Sequence, residues 1–214
     1  MNIANNVLKH YLKNVYFLAG TSCGGKTTMS KRIAEKYNFI WVEENSFMDK
    51  HKKISDENEQ PNMTKKFPDW ETYFNRPPTE YWRWLADLNA ESLEMLLIDL
   101  MVLSQNQNVI VDLPPINPET AKLFTEYNRI AFLAAEPELI IKDQYNRPDH
   151  QGIYNTIMGL SEPKKTLENV NNMIIYGTNE MLDLIYGSGF YYIKRNESST
   201  VEQTLSLLEK HFGL

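Results

Sequence analysis

One stretch near the start constrains this chain more than any other. Gly20-Thr21-Ser22-Cys23-Gly24-Gly25-Lys26-Thr27 fits the spacing G-x-x-x-x-G-K-[ST] without a substitution. The apolar run 15–19 ahead of it predicts a buried β-strand. Residues 26–37 behind it predict a helix with Met29, Ile33 and Tyr37 on one face. Strand, glycine loop and helix, in that order, form the setting in which this pattern binds phosphate.

The spacing follows from the chemistry of the anion. Phosphate oxygens are tightly solvated, so holding them takes several donors converging on one point. Glycines let backbone N–H groups turn inward without Cβ clashes. A helix opening near Gly25 adds its unpaired N–H groups and the positive end of its dipole. Gly20 to Thr28 are therefore the candidate phosphate-binding residues. Lys26 is the candidate to reach the β- and γ-phosphates, and the Thr27 hydroxyl is the candidate ligand for Mg²⁺. Asp112 ends the β-branched run Val109-Ile110-Val111. An acid there faces the glycine loop and is a second candidate to hold Mg²⁺, directly or through water. The plainer alternative is a strand-ending Asp that starts the turn before Pro114.

The chain's length, 214 residues, fits a single domain, 1–214, with room for a small inserted lobe. Its net charge of −6 disfavours a protein that works by gripping nucleic-acid phosphates. The one cysteine, Cys23, excludes an intrachain disulfide and suits a reducing compartment. The first residues do not read as a signal peptide. The most apolar helical stretch, 85–103, carries Asp87, Glu91, Glu94 and Asp99, which argues against a membrane span. The expectation is a cytoplasmic protein without membrane or nucleic-acid partners, monomer or homodimer.

Five apolar runs, 15–19, 39–42, 109–111, 130–134 and 190–193, predict strands, and helical periodicity separates them. The last helix, from Val201 to Phe212, reads as opening on a capping box of Ser199 and Glu202. Alternating strands and helices imply a parallel α/β sheet covered on both faces, with ligands beyond the C-terminal strand ends. Two segments break the alternation. Residues 45–81, rich in proline and then in aromatics, read as an acceptor-binding insertion. Residues 146–163 read as a mobile lid.

This layout, with its glycine loop, insertion after the second strand and late lid, resembles the P-loop small-molecule kinases: nucleoside monophosphate kinases, shikimate kinase and chloramphenicol phosphotransferase. The resemblance is specific at Gly20 to Thr28 and weaker at Val109 to Pro115. It implies a P-loop NTPase fold with a five-stranded parallel sheet in the order 2-3-1-4-5 and helices on both faces. It also implies transfer of the γ-phosphoryl of ATP, with Mg²⁺, to a small-molecule phosphate acceptor. The chain departs from the monophosphate kinases in two places. Asp112-Leu113-Pro114-Pro115-Ile116 keeps the Asp of their Asp-Gly-Phe-Pro-Arg but lacks the Arg, and the lid segment has Arg147 alone. Both departures weaken a monophosphate acceptor.

Several resembling kinases place a carboxylate after strand two to accept the acceptor's hydroxyl proton. Glu43, Glu44 and Asp49 are the candidates. Strand alternation points only one of the adjacent pair inward, with a lean to Glu44 because strand ends twist into the following loop. A solvated surface charge is the alternative for each. Trp70, Tyr73 and Tyr81 are candidates to stack on the acceptor, or else they form the lobe's own core. Arg76 and Arg83 are candidates to pair with an anionic group on it. Arg147 is the lid candidate to neutralise the transferring phosphoryl, against a local surface pair with Asp149. His51 and His150 lack metal-ligand spacing, and no nucleophilic triad stands out. The rival class is a nucleotide-binding regulatory ATPase acting through a protein partner, although no Asn-Lys-x-Asp guanine motif is present. A nucleic-acid-processing ATPase is disfavoured by the acidic balance.

Overall fold

In the computed structural model, which describes residues 3–43, 45–146 and 150–214, β1 (Val15–Gly20) lies at the centre of the sheet. It is paired with β3 (Val109–Asp112) on one side and β4 (Ile130–Ala135) on the other. β2 (Ile40–Glu43) and β5 (Tyr192–Arg195) are the edges. All pairings are parallel, and the order is β2-β3-β1-β4-β5. This is the order implied by the resemblance. The strands fall where the apolar runs predicted them, except that β5 lies two residues further along.

Strand periodicity explains why both faces are covered. Val15, Phe17 and Ala19 of β1 point to one side, into a core shared with Leu96 and Leu100 of α6 (Pro78–Leu103) and Ile185 of α10 (Pro163–Gly187). Tyr16 and Leu18 point to the other, against Met29 and Ile33 of α2 (Lys26–Tyr37) and Leu208 and Phe212 of α11 (Val201–Phe212). Burying each large side chain of this kind is worth about 1.5–3 kcal/mol. The capping box at α11 is built by Thr200 and Gln203, not by Ser199 and Glu202. Ser199 instead turns back, its hydroxyl accepting from the Asn196 N–H and facing the Asn196 side chain. That one-residue shift is the usual uncertainty when several Ser and Thr precede a helix.

A third apolar cluster lies beyond the C-terminal strand ends. It joins Phe74 of α5 (Trp70–Phe74), Tyr81 and Trp84 of α6, Ile140 of α8 (Pro137–Gln144), Ile157 of α9 (Gln151–Met158) and Val170, Met173 and Ile174 of α10. The segment 45–81 is mostly helical, with α3 (Met48–Ile54) and α4 (Pro61–Thr64) before α5. The described part of 146–163 contains α9. No helix among the described residues is long and apolar enough to cross a membrane.

Candidate functional site

The glycine loop leaves β1 pressed against β4. A Cβ on Gly20 would lie 2.2 Å from the Leu133 carbonyl oxygen, and one on Gly24 would lie 2.4 Å from the same atom. Glycine is required there by the neighbouring backbone as much as by any ligand. Thr21 stitches the loop down further. Its N–H donates to the Leu133 carbonyl (3.1 Å), and its hydroxyl both donates to the Ala135 carbonyl (3.1 Å) and accepts from the Ala135 N–H (2.7 Å). Gly25 has φ +96 and open space around its Cβ position, so its demand is conformational. α2 begins at the next residue with no side chain capping it. Its first N–H groups are thus left for a ligand.

Residues Cys23 to Thr28 line an open cavity of about 620 Å³, together with Lys31, Glu43, Asp143, Asn146 and Arg195. Lys26 Nζ donates to the Thr21 carbonyl within the loop (2.9 Å). The Thr27 hydroxyl donates to Asp112 Oδ2 (2.5 Å). Asp112 is buried, and its second oxygen, Oδ1, has no hydrogen-bond partner among the described residues. Burial pushes the Asp112 carboxyl above the usual range, opposed by the Thr27 hydrogen bond and the nearby Lys26 charge. A hydroxyl and a carboxylate oxygen held together beside a phosphate-type loop, one acceptor oxygen left over, make a donor set of the hard-oxygen kind that suits Mg²⁺. The strand register brings Glu43 beside Asp112 at the ends of β2 and β3.

Beyond the loop lies a second cavity, of about 680 Å³. Thr21 and Ser22 line this one and not the first, so neighbouring loop residues face different chambers. Its walls include Trp70, Tyr73, Phe74, Tyr81 and Trp82, with Met173 and Met181 of α10 and His150, Ile153 and Thr156 around α9. Of the sequence-predicted acceptor contacts, Trp70, Tyr73 and Tyr81 stand in this wall, and Glu43 stands in the phosphate chamber.

The charged candidates are elsewhere. Arg76 is buried with its guanidinium carbon 4.1–5.0 Å from the ring centres of Phe67, Tyr73, Tyr81 and Trp84, and it lines neither cavity. Its Nε donates to the Tyr73 carbonyl (2.9 Å), Nη1 and Nη2 have no hydrogen-bond partner among the described residues, and the aromatic box holds its plane. Arg83 and Asp49 are exposed and line neither cavity. Glu44, Arg147 and Asp149 lie outside the described residues. His51 is buried against Asp99, Nε2 to Oδ2 at 2.8 Å, and no metal-type cluster of three His, Cys, Asp or Glu occurs among the described residues.

Arg195 was absent from the sequence-based candidates. It ends β5, donates to the Cys23 carbonyl, and pairs through Nη2 with Asp143 Oδ2 (3.1 Å), framing the phosphate chamber. The available signal was its place at the C-terminal end of an edge strand, where ligands of such sheets collect. Shifting β5 two residues too early hid it. Lys31 was also missed, although it stands one helical turn after Thr27.

No protein-family model matches this chain, and no curated protein matches it. Among solved structures it is similar to shikimate kinase from Bacteroides thetaiotaomicron, at 16% identity and TM-score 0.48 over 94% of this chain and 98% of that one. It is similar to shikimate kinase from Acinetobacter baumannii in complex with shikimate, at 14% identity and TM-score 0.46 over 93% of each chain. It is also similar to dephospho-CoA kinase from Campylobacter jejuni, at 18% identity and TM-score 0.39 over 92% of this chain and 94% of that one. What carries the architecture is the sheet itself: five parallel strands in the order 2-3-1-4-5, with the glycine loop and its helix leaving the central strand, the arrangement of a P-loop NTPase.

Proposed function

We propose that this protein is an ATP- and Mg²⁺-dependent phosphotransferase acting on a small-molecule acceptor that carries a hydroxyl. One observation carries the reading: Thr27, in the wall of the chamber lined by residues 23–28, meets the buried Asp112 at 2.5 Å, with Asp112 Oδ1 left over. MgATP, when bound, supplies the phosphoryl group and the divalent charge. The loop amides and the opening turn of α2 hold the phosphates, and Lys26 leaves the Thr21 carbonyl to neutralise their outer oxygens. Thr27 and Asp112 hold the metal. The acceptor oxygen bonds to the γ-phosphorus as the bond from that phosphorus to the β–γ bridging oxygen breaks. ADP departs with that electron pair. The hydroxyl proton passes to a carboxylate after β2, for which Glu43, in the chamber wall, is the described candidate and Glu44 the alternative. Segment 45–81 walls the acceptor, and segment 146–163 is the lid, with Arg147 the candidate to neutralise the transferring group.

The second chamber supports transfer over a purely regulatory nucleotide switch, because a switch needs no separate cavity beside the loop. Lys26→Ala tests the reading. Removing a charged donor from the phosphates costs about 1.5–3 kcal/mol, which corresponds to an ATP affinity roughly 10- to 150-fold weaker, and phosphoryl transfer should be lost. Calorimetric ATP binding that is unchanged in this variant refutes the site.

A further inference from the structure

The second chamber is notable for what its described wall lacks. Twenty-two residues line it, and none is Asp, Glu, Lys or Arg. His150 is the only one whose side chain ordinarily takes a charge near neutral pH. None of the four charged residues that the sequence placed among acceptor contacts lines it. Arg76 is enclosed by four aromatic rings, Arg83 and Asp49 are exposed away from both chambers, and Glu43 belongs to the phosphate side.

The polar groups that remain are neutral, and several are engaged already. Thr21 is bound to the Ala135 backbone on both sides of its hydroxyl. Asn89 donates to the Pro115 carbonyl at 3.2 Å, and Thr156 to the Gly152 carbonyl at 2.8 Å. Tyr81 is buried, and burial holds its hydroxyl protonated. Ser22, Tyr73, Gln144 and Thr178 add further neutral polar groups, and the remainder of the wall, His150 apart, is ring faces and thioether or aliphatic groups. The indole of Trp82 lies flat over Gly177, where any side chain would intrude on it. Such a chamber welcomes a flat apolar body and offers no counter-charge to a carboxylate or phosphate, whose burial unpaired is strongly unfavourable. Its volume, about 680 Å³, is in the range of metabolite-sized ligands.

Building on the phosphotransferase reading, we infer that the acceptor is an uncharged molecule with a flat, largely apolar body, carrying its hydroxyl at the end that meets Thr21 and Ser22. Those two residues are where this chamber adjoins the phosphate loop, so a hydroxyl presented there is directed at the site of transfer. Among the described residues, this wall supplies no charge to pair with the anionic group of a nucleotide, a sugar phosphate or a carboxylate-bearing alcohol.

The test uses two probes with one ring system and opposite charge state, 2-naphthylmethanol and 2-naphthoate, titrated calorimetrically into the full chain with Mg²⁺ and a non-hydrolysable ATP analogue present. The expected result is measurable binding of the alcohol and binding of the carboxylate roughly 100-fold weaker. Trp70→Ala should weaken the alcohol about tenfold while leaving ATP-analogue affinity unchanged. Trp70 is 57% exposed but stacks on the buried Phe74 (5.8 Å between ring centres), so a thermal melt of the variant accompanies the titration. Equal or tighter binding of the naphthoate overturns the inference. So does absence of alcohol binding in protein that still binds the analogue, or an alcohol affinity that Trp70→Ala leaves unmoved. If the analogue fails to bind while the alcohol binds normally, the phosphotransferase reading falls, and the acceptor role falls with it. In that case the chamber is left as a site for neutral ligands.

Discussion

Replacing Gly177 by Ala sets two rules of protein stability against each other at one position. Gly177 is inside α10, where Ala is normally the better residue by about 0.5–1 kcal/mol because it loses less backbone freedom on folding. Here the added Cβ would fall 2.2 Å from Trp82 Cδ2 and 2.3 Å from Trp82 Cε3. Carbon atoms settle about 3.5–4.0 Å apart, so the indole must retreat by roughly 1.3 Å or more. Overpacking of this kind costs about 1–3 kcal/mol. The net expectation for Gly177→Ala is a loss of about 0.5–2 kcal/mol, or roughly 1–8 °C in melting temperature for a chain of this size. The assay is a thermal and guanidinium melt of Gly177→Ala, Trp82→Ala and the double variant. With the indole gone, the propensity term acts alone, so Ala at 177 should stabilise the Trp82→Ala background by about 0.5–1 kcal/mol. The sign of the effect should therefore reverse between backgrounds. If Ala at 177 stabilises both, or destabilises both equally, the indole is not what requires glycine there.

Asp112→Asn should trade metal binding for apo stability. Burial raises the Asp112 carboxyl above its unfolded value of 3.8. The folded state thus binds the proton more tightly, and stability contributed by this group falls as pH rises through the interval between the two values. The variant should accordingly gain on the parent, by about 1 kcal/mol at neutral pH, and gain less in acid. Mg²⁺ should stabilise the parent and not the variant, and melts with and without Mg²⁺ across that range check both. Arg76→Ala should destabilise by about 2–4 kcal/mol through loss of packing against four rings. Denaturant titration measures it, and a loss under about 0.5 kcal/mol would mean that the aromatic box does not depend on its cation.

Where residues face only their sequence neighbours, the chain was readable. β1, the glycine loop and α2 are contiguous, so periodicity and the G-x-x-x-x-G-K-T spacing were enough to locate them. The sheet order came from family resemblance, since no local pattern records which strands pair. Thr21 shows the limit inside the motif itself: its hydroxyl serves the β4 backbone, and only the fold brings Ala135 to it. Arg76 shows the limit outside it. A basic residue among aromatics reads equally as ligand and as core, and the box of Phe67, Tyr73, Tyr81 and Trp84 around its guanidinium exists only once α5 and α6 are packed. Arg195 and Cys23 are joined across most of the chain, a separation that no spacing rule spans.

Neighbouring loop residues open onto different rooms, and, α8 apart, those rooms are furnished by different parts of the chain. Ser22 lines one chamber with side chains from α5, α6, α8, α9 and α10, whereas Cys23 lines the other with α2, α8 and the ends of β2 and β5. Substitutions on α5, α6, α9 or α10 reshape one compartment and leave the other's lining residues in place. A lineage with this arrangement is free to reshape the Ser22 compartment by altering those helices alone, while the glycine loop is inherited intact.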